Sequence, residues 1–247
     1  KSVRVVLIAG PSSSGKTTTS KKLALELQAI GITPKVISLD DYYAGLDRCH
    51  RDKNGKPDFE CLEALDIDLL NQNLLDLFSG KTVQLPSYDF HNSSQYFEDT
   101  KKMELKENEI LIMEGIHGLN PGLTPKIPDE LKFKIYLSAL TQLNLDDHAR
   151  ISTSDNRLIR RIVRDARYRN KSAAGTIAMW ESVTNGEKLH IFPYQNNADA
   201  VLNTALDYEL AVLRIYAAPL LRCVKPDQKE YAKASELLNF LNLFSTI

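Results

Sequence analysis

Residues Gly10-Pro11-Ser12-Ser13-Ser14-Gly15-Lys16-Thr17 fit the phosphate-binding pattern G-x-x-x-x-G-K-S/T at every position. Gly10 and Gly15 admit backbone torsions that a side chain forbids, so the N–H groups of Ser12, Ser13, Ser14 and their neighbours can turn toward phosphate oxygens. They do so beside the positive end of the helix that follows. Lys16 adds a mobile positive charge for the β- and γ-phosphates, and the Thr17 hydroxyl is placed to bind Mg²⁺. This is the chemistry of a loop that holds a nucleoside triphosphate. A ligand-free glycine turn is the alternative, and the flanking sequence argues against it.

The elements such a loop requires are present on both sides. Val3-Arg4-Val5-Val6-Leu7-Ile8-Ala9 reads as a buried strand, and Thr18 to Ile30 carries Leu23, Leu27 and Ile30 at helical spacing. After a turn marked by Gly31 and Pro34, Lys35 to Leu39 reads as a second buried strand ending in Asp40-Asp41-Tyr42-Tyr43. Ligands of parallel α/β sheets bind beyond the carboxyl ends of the strands, so Asp40 stands where it can take a proton from a hydroxyl nucleophile or hold Mg²⁺ through water. A turn or helix-capping Asp is the plainer reading, and the neighbouring phosphate loop displaces it. Ile110 to Met113 is a third strand, and Glu114 at its end is placed like the carboxylate that helps hold Mg²⁺ in such proteins.

Strands four and five are expected at Phe133–Leu137 and Ala200–Leu202. Ala44 to Phe59 reads as a long polar loop, Asp66 as the cap of a helix with Ile67, Leu70, Leu74, Leu77 and Phe78 on one face, and Val83–Phe90 and Tyr96–Leu105 as short strands of an excursion. Tyr88 and Phe90 there can equally be core or a stacking surface for a planar ligand. The stretch from Arg157 to Lys171 sets Leu158, Ile162 and Asp165 on one helical side and Arg157, Arg160, Arg161, Arg164 and Arg167 along the others. A solvated face and an RNA-binding stripe are both open readings of it. Beside a phosphate loop the leading reading is a mobile lid whose guanidinium groups neutralise charge on a transferred phosphoryl group, an effect of roughly 10³–10⁵ in rate. The tail from Tyr208 reads as two helices broken around Pro219 and Pro226, with an apolar stripe that must pack on something, whether core or interface.

At 247 residues with 43% hydrophobic content and a net charge of −1, the chain suits an α/β domain with embellishments and gives no overall electrostatic reason to expect nucleic acid or an anionic membrane. No run approaches the roughly 20 apolar residues of a membrane helix. Three cysteines without C-x-x-C spacing suggest reduced thiols in a cytoplasmic protein, and five histidines without ligand spacing suggest no transition-metal site. The chain begins with Lys1 directly on the first strand, which points to a preceding region cut from a longer protein.

Taken in order, the phosphate loop, Leu39-Asp40-Asp41-Tyr42-Tyr43, Leu85-Pro86-Ser87-Tyr88-Asp89-Phe90, Leu111-Ile112-Met113-Glu114-Gly115-Ile116 and Arg160-Arg161-Ile162-Val163-Arg164-Asp165 resemble the uridine kinase and phosphoribulokinase family of P-loop kinases. His190-Ile191-Phe192-Pro193-Tyr194 and Asn197-Ala198-Asp199, with the two-helix tail, resemble a longer bacterial-type subgroup. The resemblance implies an α/β P-loop NTPase fold with a parallel five-stranded sheet flanked by helices, a small β excursion and a helical, Arg-rich lid. It implies a single kinase domain over 1–247, with the acceptor-binding excursion at about 42–105, the lid at about 155–190 and a C-terminal helical extension at 207–247. The implied reaction transfers the γ-phosphoryl group of ATP to the 5′-hydroxyl of uridine or cytidine, with Mg²⁺ as cofactor, in pyrimidine salvage.

By motif, Asp40, Lys16, Arg161 and Arg169 carry catalysis, and Thr17, Glu114 and Asp40 organise Mg²⁺. Gly10, Ser12, Ser13, Ser14, Gly15, Lys16, Thr17, Thr18 and Arg164 bind ATP, while Asp40, Tyr43, Glu60, Tyr88, Phe90, His91 and Lys171 face the nucleoside. The partners expected are ATP and a small nucleoside, with neither nucleic acid nor membrane, and a homo-oligomer is compatible with the apolar tail. Two departures bear on the acceptor. Glu60 stands where relatives place an Asp, and Ser93 and Gln95 stand where the family shows a His and then an Arg, with His91 two positions early. A kinase for another small hydroxyl compound and an ATP-binding regulatory module are the alternatives.

Overall fold

The computed structural model describes residues 3–48, 50, 51, 55, 57–90, 92–141 and 151–246, which divide into two compact units. The first holds Lys1–Pro11, Gly15–Leu137 and Gly186–Leu202, and the second Ser12–Ser14, Ser138–Asn185 and Asn203–Ile247.

In the first unit, strands β1 (Val5–Ala9), β2 (Thr33–Ser38), β5 (Glu109–Glu114), β6 (Lys132–Ser138) and β7 (Ala200–Asn203) form one sheet in the order β2-β5-β1-β6-β7. β1 runs parallel to both β5 and β6, and β2 runs parallel to β5. Every residue of β1 is buried because both faces are covered. Leu7, with Leu111, Met113 and Ile37, joins a core built with Leu70, Leu74 and Leu77 of α2 (Ile67–Phe78), whose Asp66 side chain caps the helix by accepting from the Leu69 N–H. Val6, Ile8 and Ile112 face the other way and are covered by Leu23 and Leu27 of α1 (Lys16–Ala29). β3 (Val83–Asp89) and β4 (Ser94–Met103) form the expected excursion as an antiparallel pair.

Three local expectations are corrected. Ile30 is 72% exposed rather than part of the helix face, because α1 ends at Ala29 and Gly31 at φ 86 turns the chain toward β2. Pro34 lies within β2 rather than in the preceding turn. β2 is an edge strand, where a missing N–H costs no ladder bond on the open side. Pro219 does not break the tail but lies inside α6 (Glu209–Arg222), where the lost bond falls to the carbonyl of the exposed Ile215. The helices part only beyond Arg222, before α7 (Tyr231–Leu241).

The second unit is helical, with α3 (Thr153–Tyr168), α4 (Ala173–Ala178), the first half of α5 (Trp180–His190), α6 and α7. Leu158, Ile159 and Ile162 of α3 share a core with Leu210, Ala217 and Leu221 of α6 and Leu237 and Leu241 of α7. The apolar stripe of the tail therefore packs on the core of its own unit. Among the described residues no helix is long and apolar enough to cross a membrane.

Candidate active site

Register brings the candidate residues at the strand ends of the first unit to one level. Ser38 of β2 lies beside Glu114 of β5, and Glu114 beside Ile8 of β1, so the chain leaves all three strands together. Beyond the strand ends lie the phosphate loop after β1, a 3₁₀ turn at Leu39–Tyr42 carrying Asp40 after β2, and Gly115 to Gly118 after β5. Close packing enforces these exits: a Cβ on Gly115 would lie 2.5 Å from that of Leu39, and one on Gly118 3.1 Å from the Ile8 carbonyl. Tyr42, fully buried, anchors the Asp40 turn from below through a 3.0 Å bond from Asn73 Nδ2 to its hydroxyl. Asp40 is not the cap of that turn, a place held by Ser38.

The Thr17 and Ser38 hydroxyls donate to Glu114 Oε1 at 3.0 and 3.1 Å. Burial pushes the Glu114 carboxyl above the usual range; the Lys16 ammonium opposes this, the Asp40 charge adds to it, and the two hydroxyl bonds oppose it again. Lys16 Nζ donates to the carbonyls of Gly10 (2.9 Å) and Pro11 (3.2 Å), which folds it back along the loop. A hydroxyl and a carboxylate in contact, with a second carboxylate near enough to act on the first, make a hard oxygen set that fits Mg²⁺ and leaves its other positions to phosphate and water. Among the described residues no group of three or more His, Cys, Asp or Glu is assembled, so no denser metal cage competes with that set.

The phosphate loop itself has the alternating handedness of an anion-binding nest, with Ser13 at φ 59 and Gly15 at φ 89. A non-glycine residue held there costs about 1–2 kcal/mol, so its surroundings must enforce it. They do so within the second unit. Arg157 Nη1 donates to the Ser12 carbonyl at 3.1 Å, Arg161 Nη1 to the Ser12 hydroxyl at 2.7 Å, Arg160 Nη1 to the Ser13 carbonyl at 3.3 Å, and Thr204 Oγ1 to the Ser14 carbonyl at 2.7 Å.

Arg161 also joins Arg164 and Arg169 on Asp165, which is 1% exposed, while Arg167 lies over the Tyr168 and Tyr216 rings. Arg164 meets Asp165 Oδ1 at 2.8 Å, Arg161 Nε meets Oδ2 at 3.2 Å, and Arg169 stands 3.8 Å from Oδ1. Burial alone would raise the Asp165 carboxyl, but Arg164 first and then Arg161 and Arg169 outweigh it and hold it below the usual range. Burial pushes the Lys171 ammonium down, and Asp165 pulls it back up. Arg157 and Arg161 are buried, so a merely solvated basic face is excluded.

Around the β3–β4 excursion, Tyr43, Phe59, Tyr88 and Phe90 form one aromatic group, with Tyr43–Tyr88 ring centres at 5.5 Å and Tyr88–Phe90 at 5.0 Å. Tyr43 and Tyr88 are core, whereas Phe90 is 52% exposed and presents a ring to solvent. Glu60 packs on the backbone of Gly186, where an added Cβ would lie 2.5 Å from its own. Ser93 occupies a left-handed turn at φ 50, and Gln95 accepts from Arg48 at 3.1 Å. His91 lies outside the described residues.

Sequence reasoning missed one group and did not foresee the burial of another. Lys101 of β4 donates to Asp41 Oδ2, the Pro86 carbonyl and the Ser87 hydroxyl, and nothing in a strand-like alternation singles it out. His117 is 1% exposed, and its ring nitrogens have no hydrogen-bond partner among the described residues. Burial, with the His190 charge adding, pushes it down to about 4, while the Cys61 backbone, too poorly placed for a bond, pulls the other way. Burial also pushes the Cys61 thiol up to about 11, which makes it an inert core thiol.

A family model described as Phosphoribulokinase / Uridine kinase family matches residues 5–211. A uridine kinase of Macrococcus caseolyticus (strain JCSC5402) is 30% identical over 199 residues, covering 80% of this chain and 86% of that protein. One of Staphylococcus aureus (strain JH9) is 28% identical over 205 residues, covering 82% of this chain and 88% of that protein. Among solved structures, one described as a possible uridine kinase from Bacillus stearothermophilus matches with a TM-score of 0.51 at 19% identity, over 82% of this chain and 90% of that one, a likeness of fold.

Proposed function

Because the chain belongs to the phosphoribulokinase and uridine kinase family, a family of P-loop phosphotransferases, we propose that it transfers the γ-phosphoryl group of ATP to the 5′-hydroxyl of uridine or cytidine. The observation that carries this reading is that Glu114, level with Ile8 and Ser38 at the strand ends, accepts from Thr17 with the Lys16 and Asp40 charges close enough to act on it. The relatives named as uridine kinases support the choice of acceptor.

In the proposed mechanism the loop from Gly10 to Thr18 holds the triphosphate by its N–H groups, and Lys16 leaves the Gly10 and Pro11 carbonyls for phosphate oxygens. Asp40 accepts the proton of the attacking hydroxyl as its oxygen bonds to the γ-phosphorus and the bond from that phosphorus to the bridging oxygen breaks, ADP leaving with the electron pair. Thr17, Glu114 and Asp40 would hold Mg²⁺, which neutralises charge on the phosphates when bound. Arg161, Arg164 and Arg169 act on the transferred group, with Asp165 ordering them until it is engaged. Phe90 supplies a face on which a flat base can stack; Glu60 is assigned to the ribose hydroxyls and Lys171 to the acceptor side. Stacking tolerates any flat ring, whereas a fixed polar edge reader rejects analogues. We assign the protein to the cytoplasm, where ATP and nucleosides meet.

The test is ADP release with uridine, cytidine, a purine nucleoside and no acceptor. Stimulation by both pyrimidines, with kcat/KM values within about tenfold of each other, is expected. No stimulation by any nucleoside overturns the acceptor assignment. It would favour another hydroxyl compound if one stimulates, and an ATP-binding regulatory role if none does.

A further inference from the structure

A planar trans peptide sets the C=O of one residue antiparallel to the N–H of the next. The N–H groups of a phosphate loop therefore point inward only while the carbonyls of the same peptides point outward. Here three consecutive carbonyls, those of Ser12, Ser13 and Ser14, are taken by Arg157, Arg160 and Thr204 respectively. The peptide groups thus fixed carry the N–H of Ser13, Ser14 and Gly15.

Arg160 is itself held on several sides. Its Nε donates to Glu209 Oε2 at 3.1 Å and its Nη2 to the Thr204 carbonyl at 2.7 Å; its Nη2 also pairs with Glu209, whose other oxygen accepts from buried Asn156. Glu209 opens α6 and Thr204 follows β7, so both come from the chain beyond the arginine run. Ser13, whose backbone the clamp engages, is the loop's non-glycine residue in the left-handed region. The buried Ser13 and Ser14 hydroxyls find no hydrogen-bond partner among the described residues, so the clamped loop keeps donors available.

We propose that Arg160, Thr204 and Glu209 are positioning residues for the phosphate loop. They do not touch the nucleotide but fix the peptide planes of Ser13 to Gly15 before it binds. This divides the arginine run by role: Arg157 and Arg160 serve the loop backbone, and the guanidinium groups on Asp165 are the ones available to phosphate. The inference rests on the nucleotide reading above, and it makes the start of α6 a determinant of phosphate affinity.

The test measures dissociation constants of Mg-ADP and of adenosine by calorimetry on the full chain and on Thr204→Val, Thr204→Ser, Arg160→Met and Glu209→Gln. Loss of a bond that orders charge-binding donors is expected to weaken ADP by about tenfold or more in Thr204→Val and Arg160→Met. Glu209→Gln should fall between these and the unaltered protein, and Thr204→Ser should restore ADP binding to within about twofold. Adenosine, which has no phosphate, should bind all variants within about twofold of the unaltered protein. A merely structural role would weaken both ligands alike or neither, and either result overturns the proposal. Should Arg160→Met fail to fold, the Thr204 pair decides. If the unaltered protein binds no ADP, the nucleotide reading falls with it; if it does and the variants match it, only the clamp falls.

Discussion

Lys101 Nζ lies 2.8 Å from Asp41 Oδ2, and the same ammonium donates to the Pro86 carbonyl at 2.7 Å and the Ser87 hydroxyl at 2.9 Å. One cation thus ties the turn that carries Asp40 to the strand that carries Tyr88. Both partners are about a third exposed, so the ion pair adds little to stability, about 1 kcal/mol or less after solvent screening. Its expected effect is geometric. Lys101→Met should raise the acceptor KM and lower acceptor kcat/KM by about tenfold, with ADP affinity within about twofold. Steady-state kinetics against each substrate checks this, and an equal rise in both KM values would contradict it.

Asp40→Asn keeps the size of the side chain but removes its basicity. A fall in kcat of about 10²–10⁴ at saturating substrates is expected, with ADP binding retained. A drop of less than about tenfold would remove Asp40 from the base role.

His117 makes stability depend on acid. Its ring is held neutral in the fold, with its pKa pushed down from 6.5 to about 4, so the unfolded chain binds the extra proton between those values. Stability contributed by the neutral ring is complete above about pH 6.5 and is lost as pH falls toward 4, by about 3 kcal/mol in all. Urea denaturation of the protein and of His117→Gln across this range should show the difference between them shrinking by that order as the solution is acidified. Parallel curves would show that His117 does not titrate in this way.

Asp165→Asn leaves Arg161 and Arg164 without their buried counter-charge. A loss of about 3–5 kcal/mol is expected from breaking a buried pair by removing one partner. Chemical denaturation measures it, and a loss below about 1 kcal/mol would mean that the arginines re-pair with water.

The acceptor-side departures illustrate how far a motif can be carried. Gln95, one of the positions at which the family motif is not matched by the expected residue, is engaged by Arg48, whose other nitrogen meets Asp66 at 2.9 Å. That network was not legible in the sequence, because Arg48 sits in a loop with no period.

Much of the architecture was written locally. The unbroken burial of Val5 to Ala9, the Asp66 cap and the glycine-lysine loop follow from torsion preference and apolar runs, which act over a few residues. So the five strands, the excursion and the places of Asp40 and Glu114 at the ends of their strands could be read from the chain alone. The assignment of each arginine could not. Arg157 and Ser12 are 145 positions apart, and Thr204 and Ser14 are 190 apart, so helical spacing says which guanidinium groups share a side but not what that side meets. Burial decided it: charged and polar groups removed from water must find partners, and in the folded chain the phosphate loop's outward carbonyls, Glu209 and Asp165 are the partners within reach.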